Sequence, residues 1–290
     1  MCLFKGIEDI PKNYEDTNHV VEQESTFWYL FGVKETNCYA VIENSSGDSI
    51  LFVPRYEEAY KMWMYVKPVE KFLSDYKIQK VMFVDELEPY LKGKEPSEIY
   101  IYTGTDSDSK ITTYEPEQKY LDCGKKVNRE VLWPTICNLR VVKTEEEIDL
   151  MRYVCRIATD AHIKVMKSAK AGLKQLQMHA LFHFEHTVRC GCHHIAFDSI
   201  CSSGRDCATL HYIENDKIIE PGQMLLHDMG GKWYGYCADQ AITFPVNGKF
   251  TEKQKAIYNA VYEAQKAVLE VLKPGVNWGD MHLLAEKVIL

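Results

Sequence analysis

The 290-residue chain has no apolar run approaching the length of a membrane span. Its first residues, Met1-Cys-Leu-Phe-Lys-Gly-Ile7, lack the long apolar stretch of a secretory signal. A cytoplasmic protein is therefore expected, with no membrane partner. An excess of positive charge is also missing. The 34 Lys and Arg residues face 42 Asp and Glu, a net charge of −8, which argues against a nucleic-acid or anionic-membrane partner. Cysteine is plentiful at ten residues, but the pairing that a disulfide or zinc framework needs is absent. The cysteines are scattered, and Cys38, Cys155, Cys201 and Cys237 sit inside apolar runs, as free thiols in a reducing compartment would. Cys190-Gly-Cys192 has one intervening residue and no second pair to answer it, so zinc is not expected there. Internal repeats and low-complexity segments are also absent. What remains is an ordinary globular composition, with length enough for two domains.

The first half reads as short strands mixed with helices. Thr26–Gly32, Cys38–Ile42 and Ser49–Val53 are rich in aromatic and β-branched residues and predict strands. Asn44-Ser-Ser-Gly-Asp48 marks a turn between the last two, hence a hairpin. Glu57–Lys67 and Val69–Tyr76 predict helices, Val81–Val84 and Ile99–Tyr102 buried strands, and Thr103–Lys110 a loop. A boundary is expected between Trp133-Pro134 and Lys143. Thr144-Glu-Glu-Glu147 then has the pattern of a capping box, followed by helical spacing through Ile148, Met151, Val154, Cys155, Ala158, His162, Val165 and Met166. A second helix is expected over 173–188, and strands at Ile195–Phe197, Ser199–Cys201 and within Met224–Val246. Thr251-Glu-Lys-Gln254 starts a third helix that Lys273-Pro-Gly275 stops, and a fourth begins near Asp280.

Chemistry concentrates in the run Met224-Leu-Leu-His-Asp-Met-Gly-Gly-Lys-Trp-Tyr-Gly-Tyr-Cys-Ala-Asp-Gln-Ala-Ile-Thr-Phe244. Asp228 and Asp239 each lie in a strand-like stretch, with Gly230-Gly231 reading as the turn signal between them. A hairpin would bring the carboxylates to near-opposite positions, where burial and mutual repulsion disfavour both charges. A divalent cation such as Mn²⁺, Mg²⁺, Co²⁺ or Zn²⁺ is the simplest compensation. The alternative is one aspartate bound to backbone and the other in an exposed loop. His211, in Ala208-Thr-Leu-His-Tyr212, is a candidate for binding substrate or stabilising charge on a reacting carbonyl. A structural histidine is the competing reading. His193-His194 cannot serve one metal from a strand, because neighbouring residues point to opposite faces. His179 and His183 have the i, i+4 spacing of a helical zinc pair, but Ala180-Leu-Phe182 lacks the glutamate of the His-Glu-x-x-His motif.

Leu226-His-Asp-Met-Gly-Gly-Lys-Trp-Tyr-Gly-Tyr-Cys-Ala-Asp239 with Phe244-Pro-Val-Asn-Gly-Lys-Phe-Thr251 resembles the first metal-binding hairpin of the prolidase (Xaa-Pro dipeptidase) family. Ile200-Cys-Ser-Ser-Gly204, Leu210-His-Tyr212, Leu139-Arg-Val-Val-Lys-Thr144, Glu24-Ser-Thr-Phe-Trp-Tyr-Leu-Phe-Gly32 and Leu51-Phe-Val-Pro54 extend the likeness over nearly the whole chain. The resemblance implies an α+β protein. A creatinase-like α/β domain over 1–138, begun part-way, would precede the first half of a pita-bread catalytic domain over 139–290. It implies a metallo-exopeptidase acting on Xaa-Pro dipeptides or short peptides, as a homodimer. Two metal ions, usually Mn²⁺, would be held by two Asp and then a His and two Glu. The ions would polarise the scissile carbonyl and activate a bridging water. Asp228 and Asp239 match the two Asp ligands, and His211 matches a substrate-side histidine. A non-catalytic pita-bread module binding peptides or protein partners is the alternative, though such relatives typically lose metal ligands that this chain keeps.

Some positions depart from the family pattern. Ala241 stands where a threonine is frequent, Phe197 where a tyrosine is frequent, and Ile213-Glu-Asn-Asp216 is shorter than in animal enzymes. Beyond Asp239 the sequence offers His282, Glu252, Glu263, Glu270 and Glu286, all in helical stretches, so the implied later ligands are not among these residues. The chain thus reads as an incomplete prolidase-like enzyme, inactive by itself and prone to associate through an exposed sheet edge and apolar face. The expected result for the purified 290-residue polypeptide on Gly-Pro with added Mn²⁺ is no turnover. Metal-dependent hydrolysis in that assay would overturn the expectation.

Overall fold

The computed structural model describes residues 1–113, 115–191 and 194–290, with Cys190 through its backbone alone. The Cys190 and Cys192 thiols and His193 of the doublet His193-His194 lie outside the described residues. The chain divides into two compact units, Met1–Glu145 and Glu146–Leu290.

The first unit is built on a six-stranded mixed sheet. Its elements are β1 (Cys2–Lys5), α1 (Ser25–Phe31), β2 (Tyr39–Ile42), β3 (Ser49–Val53), α2 (Val69–Asp75), β4 (Lys80–Phe83), α3 (Leu87–Lys94), β5 (Ile99–Ile101), α4 (Gln118–Leu121), β6 (Val127–Asn128) and α5 (Leu132–Val141). The strand order is β4-β3-β2-β1-β5-β6. Alternation along the strands sends side chains to both faces, and helices cover each face. Phe4, Ala40, Leu51 and Val53 pack with Phe27 and Phe31 of α1, Phe72 of α2 and Ile136 of α5. Leu3, Val41, Ile50 and Phe52 pack with Leu87 and Leu91 of α3 and Tyr120 of α4.

Two local expectations fail in this unit. Ser25–Phe31 is a helix, not a strand, despite its aromatic content. The Glu24 carboxylate accepts from the Thr26 and Phe27 amides at 3.0 and 2.7 Å, and Gly32 closes the last turn in a left-handed conformation. Phe27 and Phe31, one turn apart, bury against the sheet with ring centroids 5.0 Å apart. Capping and this shared face outweigh β propensity, which reflects packing more than an intrinsic backbone preference. Glu57–Lys67 contains only a short 3₁₀ segment, Glu58–Met62, with no buried residue to hold a longer helix.

The second unit places α6 (Glu145–Ser168) and α7 (Gln175–Cys190) on one face of a three-stranded antiparallel sheet. Its strands are β7 (Ile200–Ser203), β8 (Met224–Met229) and β11 (Gln240–Pro245), with β8 in the centre. A small hairpin, β9 (Lys232–Trp233) and β10 (Tyr236–Cys237), interrupts the passage from β8 to β11. The predicted strand Ile195–Phe197 is a single bridge, Ile195 to Gly231. The helices α8 (Glu252–Val271) and α9 (Trp278–Ile289) follow. The Thr251 hydroxyl accepts from the Gln254 amide and the Gln254 side chain accepts from the Thr251 amide, the reciprocal cap expected there. On these helices Ala264 and Met281 are buried while Ile257, Val261, Leu283 and Trp278 are exposed. Among the described residues no helix is long and apolar enough to cross a membrane.

Along β8, Leu225, His227 and Met229 face the helical core, and Leu226 and Asp228 face the other way. Phe182 of α7 and Val154, Ala158, Ala161 and Val165 of α6 complete that core. His227 is fully buried, its ring centroid 5.3 Å from that of Phe244, and neither ring nitrogen has a hydrogen-bond partner. Burial, and next the charge of His162, push its pKa down to about 3, so the ring is neutral. A buried polar group without partners costs free energy that an apolar ring of similar shape avoids. His227→Phe is therefore expected to stabilise the fold by about 1–3 kcal/mol, measured by chemical denaturation. An equal loss would show that the imidazole has a partner.

Candidate metal centre

The ladder between β8 and β11 sets the geometry of the site. Asp228 pairs with Ala241, not with Asp239, and Met229 pairs with Gln240. The expectation of near-opposite aspartates is thereby corrected. Asp239 lies just before β11, two residues from Ala241, and diagonal to Asp228 on the same face. Gly230-Gly231 is not the turn. The chain reverses at Tyr234-Gly235, both with positive φ (46° and 81°), as a two-residue hairpin loop requires. The extra hairpin lets residues eleven apart in sequence meet.

The glycines serve close approach instead. A Cβ on Gly230 would lie 2.1 Å from the Ala238 carbonyl oxygen and 2.6 Å from the Phe197 ring. One on Gly231 would lie 2.7 Å from the His186 ring. The backbone is tied at the same place. Ala196 donates to the Gly230 oxygen, Ala238 donates to the Gly231 oxygen at 2.8 Å, and the Lys232 amide donates to His186 Nε2 at 3.1 Å. Tyr236 donates its hydroxyl to Glu147 on α6. His186 and Glu147 thus anchor the segment between the two aspartates. Neither was singled out as an anchor from sequence; the Gly-Gly pair was the visible sign of close packing there.

Asp228 is half-buried and Asp239 exposed, so burial falls mainly on one member of the pair. The Asp228 carboxyl is raised above its ordinary value, first by desolvation, then by the charge and hydrogen bonding of Asp239 beside it. The charge of His211 opposes that shift, which places the exposed imidazole within electrostatic reach of Asp228. Asp228 Oδ1 is buried with no hydrogen-bond partner. An orphaned carboxylate oxygen beside a second carboxylate fits a hard cation. Among the described residues no group of three or more His, Cys, Asp or Glu is placed to hold an ion, so the pair supplies part of a coordination shell. Across the ladder from Asp228 stand Ile200 and Ala241, which add no ligand atoms.

The other histidines go elsewhere. His162 Nε2 lies 3.0 Å from the Met229 carbonyl oxygen, and His186 holds the Gly-Gly segment. His179 and His183 sit with ring centroids 6.1 Å apart on α7, without a third ligand among the described residues.

Residues 149–290 match metallopeptidase family M24, and residues 1–102 match the N-terminal domain of aminopeptidase P. Residues 149–290 belong to the M24 metallopeptidases, with the creatinase-like domain ahead of part of a pita-bread fold. Such membership implies divalent metal ions. Within that family the chain is similar to Xaa-Pro dipeptidases. It is 38% identical to that of Mus musculus over 297 residues, which cover 99% of this chain and 59% of the relative. It is 37% identical to that of Homo sapiens, over 100% of this chain and 60% of the relative. The chain thus spans about three fifths of the length of these curated relatives. Among solved structures, aminopeptidase PepP of Pseudomonas aeruginosa superposes with a TM-score of 0.84 at 25% identity, covering 99% of this chain and 67% of that one. A zinc-substituted E. coli aminopeptidase P in complex with product gives 0.85 at 21% identity, covering 99% and 67%, a likeness of fold.

The close approach at the glycines carries its own test. Gly230→Ala meets a backbone oxygen that cannot rotate away, so a loss of about 3 kcal/mol is expected. Gly231→Ala meets the His186 ring rather than backbone, and at a longer distance, and should cost less. Urea unfolding of both variants checks the order; a reversed ranking would overturn the packing account.

Proposed function

We propose that this chain carries the first two metal ligands and a substrate-side histidine of a dinuclear metallo-exopeptidase acting on Xaa-Pro dipeptides. The observation that carries the reading is the Asp228–Asp239 pair: two carboxylates on one sheet face, one with a buried, unpartnered oxygen. The names of the relatives supply the substrate class, an Xaa-Pro dipeptide. Mn²⁺ and a cytoplasmic location are part of the proposal, as is assembly into a homodimer.

In this reading Asp228 and Asp239 hold the ions, and their negative charges, costly to keep together in a metal-free site, become favourable. When bound, the ions would supply Lewis-acid polarisation of the scissile carbonyl and an activated water for attack on it. His211, exposed and within electrostatic reach of Asp228, is the group that would donate a hydrogen bond to substrate or to developing negative charge. Ala241, across the ladder from Asp228, offers no hydroxyl to support a metal-bound water. The two aspartates alone leave most coordination positions to water, so the 290-residue polypeptide should bind Mn²⁺ weakly and show no dipeptidase turnover.

Thermal unfolding with and without Mn²⁺ tests the reading without relying on activity. Mn²⁺ should raise the wild-type midpoint, by an amount equivalent to about 2.7 kcal/mol at a hundredfold excess over Kd. Asp228→Asn and Asp239→Asn should abolish the effect. Asp228→Asn should also raise the metal-free midpoint, because it removes a charge whose pKa is raised by folding and whose ionised form is therefore disfavoured at neutral pH. A metal response that survives both substitutions would refute the assignment.

A further inference from the structure

His211 is exposed, follows a Leu210 that is 85% exposed, and its ring makes no hydrogen bond to any described residue. Its place beside Asp228 must come from the loop that carries it. That loop, Gly204–Ile219, joins β7 to the approach of β8 and is not free. Tyr212, next in sequence, is 5% exposed and donates its hydroxyl to Gln175 Oε1 at 2.9 Å. Gln175, the first residue of α7, is fully buried. Its oxygen also accepts from the Lys217 amide at 3.2 Å. Its Nε2 donates to Ser203 Oγ at 3.0 Å and to Asp206 at 3.3 Å. One buried amide thus ties both arms of the loop to the end of β7.

Asn215 makes the second tie. Its backbone is left-handed, φ 50°, a conformation asparagine tolerates better than most residues. Its Oδ1 accepts from the Cys201 amide at 2.7 Å, and its Nδ2 donates to the Ser199 oxygen at 2.7 Å and to the Ile213 oxygen at 3.1 Å. β7 is an edge strand, so its outer amide and carbonyl need partners. The Asn215 side chain stands in for a missing neighbour strand, and the outward loop bearing His211 is fixed to the strand that pairs with Asp228.

We propose that Tyr212 and Asn215 are positioning residues that hold the His211 loop on the strand paired with Asp228, and with it His211 beside Asp228, an inference that rests on the metallo-exopeptidase reading of the Asp228–Asp239 pair. Both are buried, and each acts through the loop. Substitution should leave the carboxylate pair intact and displace the histidine.

Histidine-ring nuclear magnetic resonance of the 290-residue protein tests this. The His211 signal is assigned by its loss in His211→Gln. At fixed pH and without metal, Asp228→Asn should shift the wild-type His211 signal. In Tyr212→Phe and Asn215→Gly backgrounds that response should fall to less than half. Asn215→Gly keeps the left-handed backbone and removes only the amide; Tyr212→Phe removes one hydroxyl and should fold even if the other variant does not. Mn²⁺ should broaden the His211 signal in wild type and broaden it at least twofold less in either variant. A full wild-type response in both variants overturns the positioning role. Reduced responses in the variants, with no Mn²⁺ broadening in wild type, sink the metal reading and leave the positioning role standing.

Discussion

A slip of one residue in the pairing of Met224–Met229 with Gln240–Pro245 would turn Asp228 into the helical core and His227 out of it. Everything else at the site depends on that register. The apolar members of β8 and β11, Leu225, Met229, Ile242 and Phe244, select it by burying against α6 and α7. The same alternation then leaves Asp228 and Ala241 on the open face, with Asp239 diagonal to them. The core therefore positions the carboxylates without touching them.

Between the two aspartates the chain must double back within a short distance. The β9–β10 hairpin does this, and it fits only because Gly230 and Gly231 allow the backbone to press against Ala238, Phe197 and His186. His186 and Glu147 fasten the segment from the helices beneath. The carboxylates so assembled repel each other, and Asp228 keeps an oxygen with no partner. Such an arrangement is unfavourable by itself, and in the proposed metal site a bound cation would reverse the sign. Stability conceded at a site that gains it back on binding is a common property of functional centres.

The second histidine-bearing segment follows a different physical route. The loop with His211 leaves Leu210, Ile213 and Ile218 exposed, so buried amides do much of the holding: Gln175 from the start of α7 and Asn215 from the loop itself. Side-chain amides suit this task because each offers donor and acceptor together and can satisfy an edge strand and a loop backbone at once.

Sequence by itself determined much of the architecture. Strong helical periodicity foretold α6 and the capping pattern foretold α8, aromatic and β-branched content foretold β2 and β3, and the apolar strand-like run foretold β8. It also singled out Asp228, Asp239 and His211, because charged residues inside apolar strands and polar residues in short loops stand out chemically. Tertiary structure decided the rest. Ser25–Phe31 became a helix because Glu24 caps it and Phe27 and Phe31 share a buried face, a balance no local propensity reveals. The Gly-Gly pair read as a turn because glycine's role is ambiguous until its neighbours are known. The diagonal placement of the aspartates, the anchoring by His186 and the hold of Gln175 and Asn215 on the His211 loop all join residues distant in sequence. Their geometry follows from strand register and helix packing, which a linear pattern does not contain.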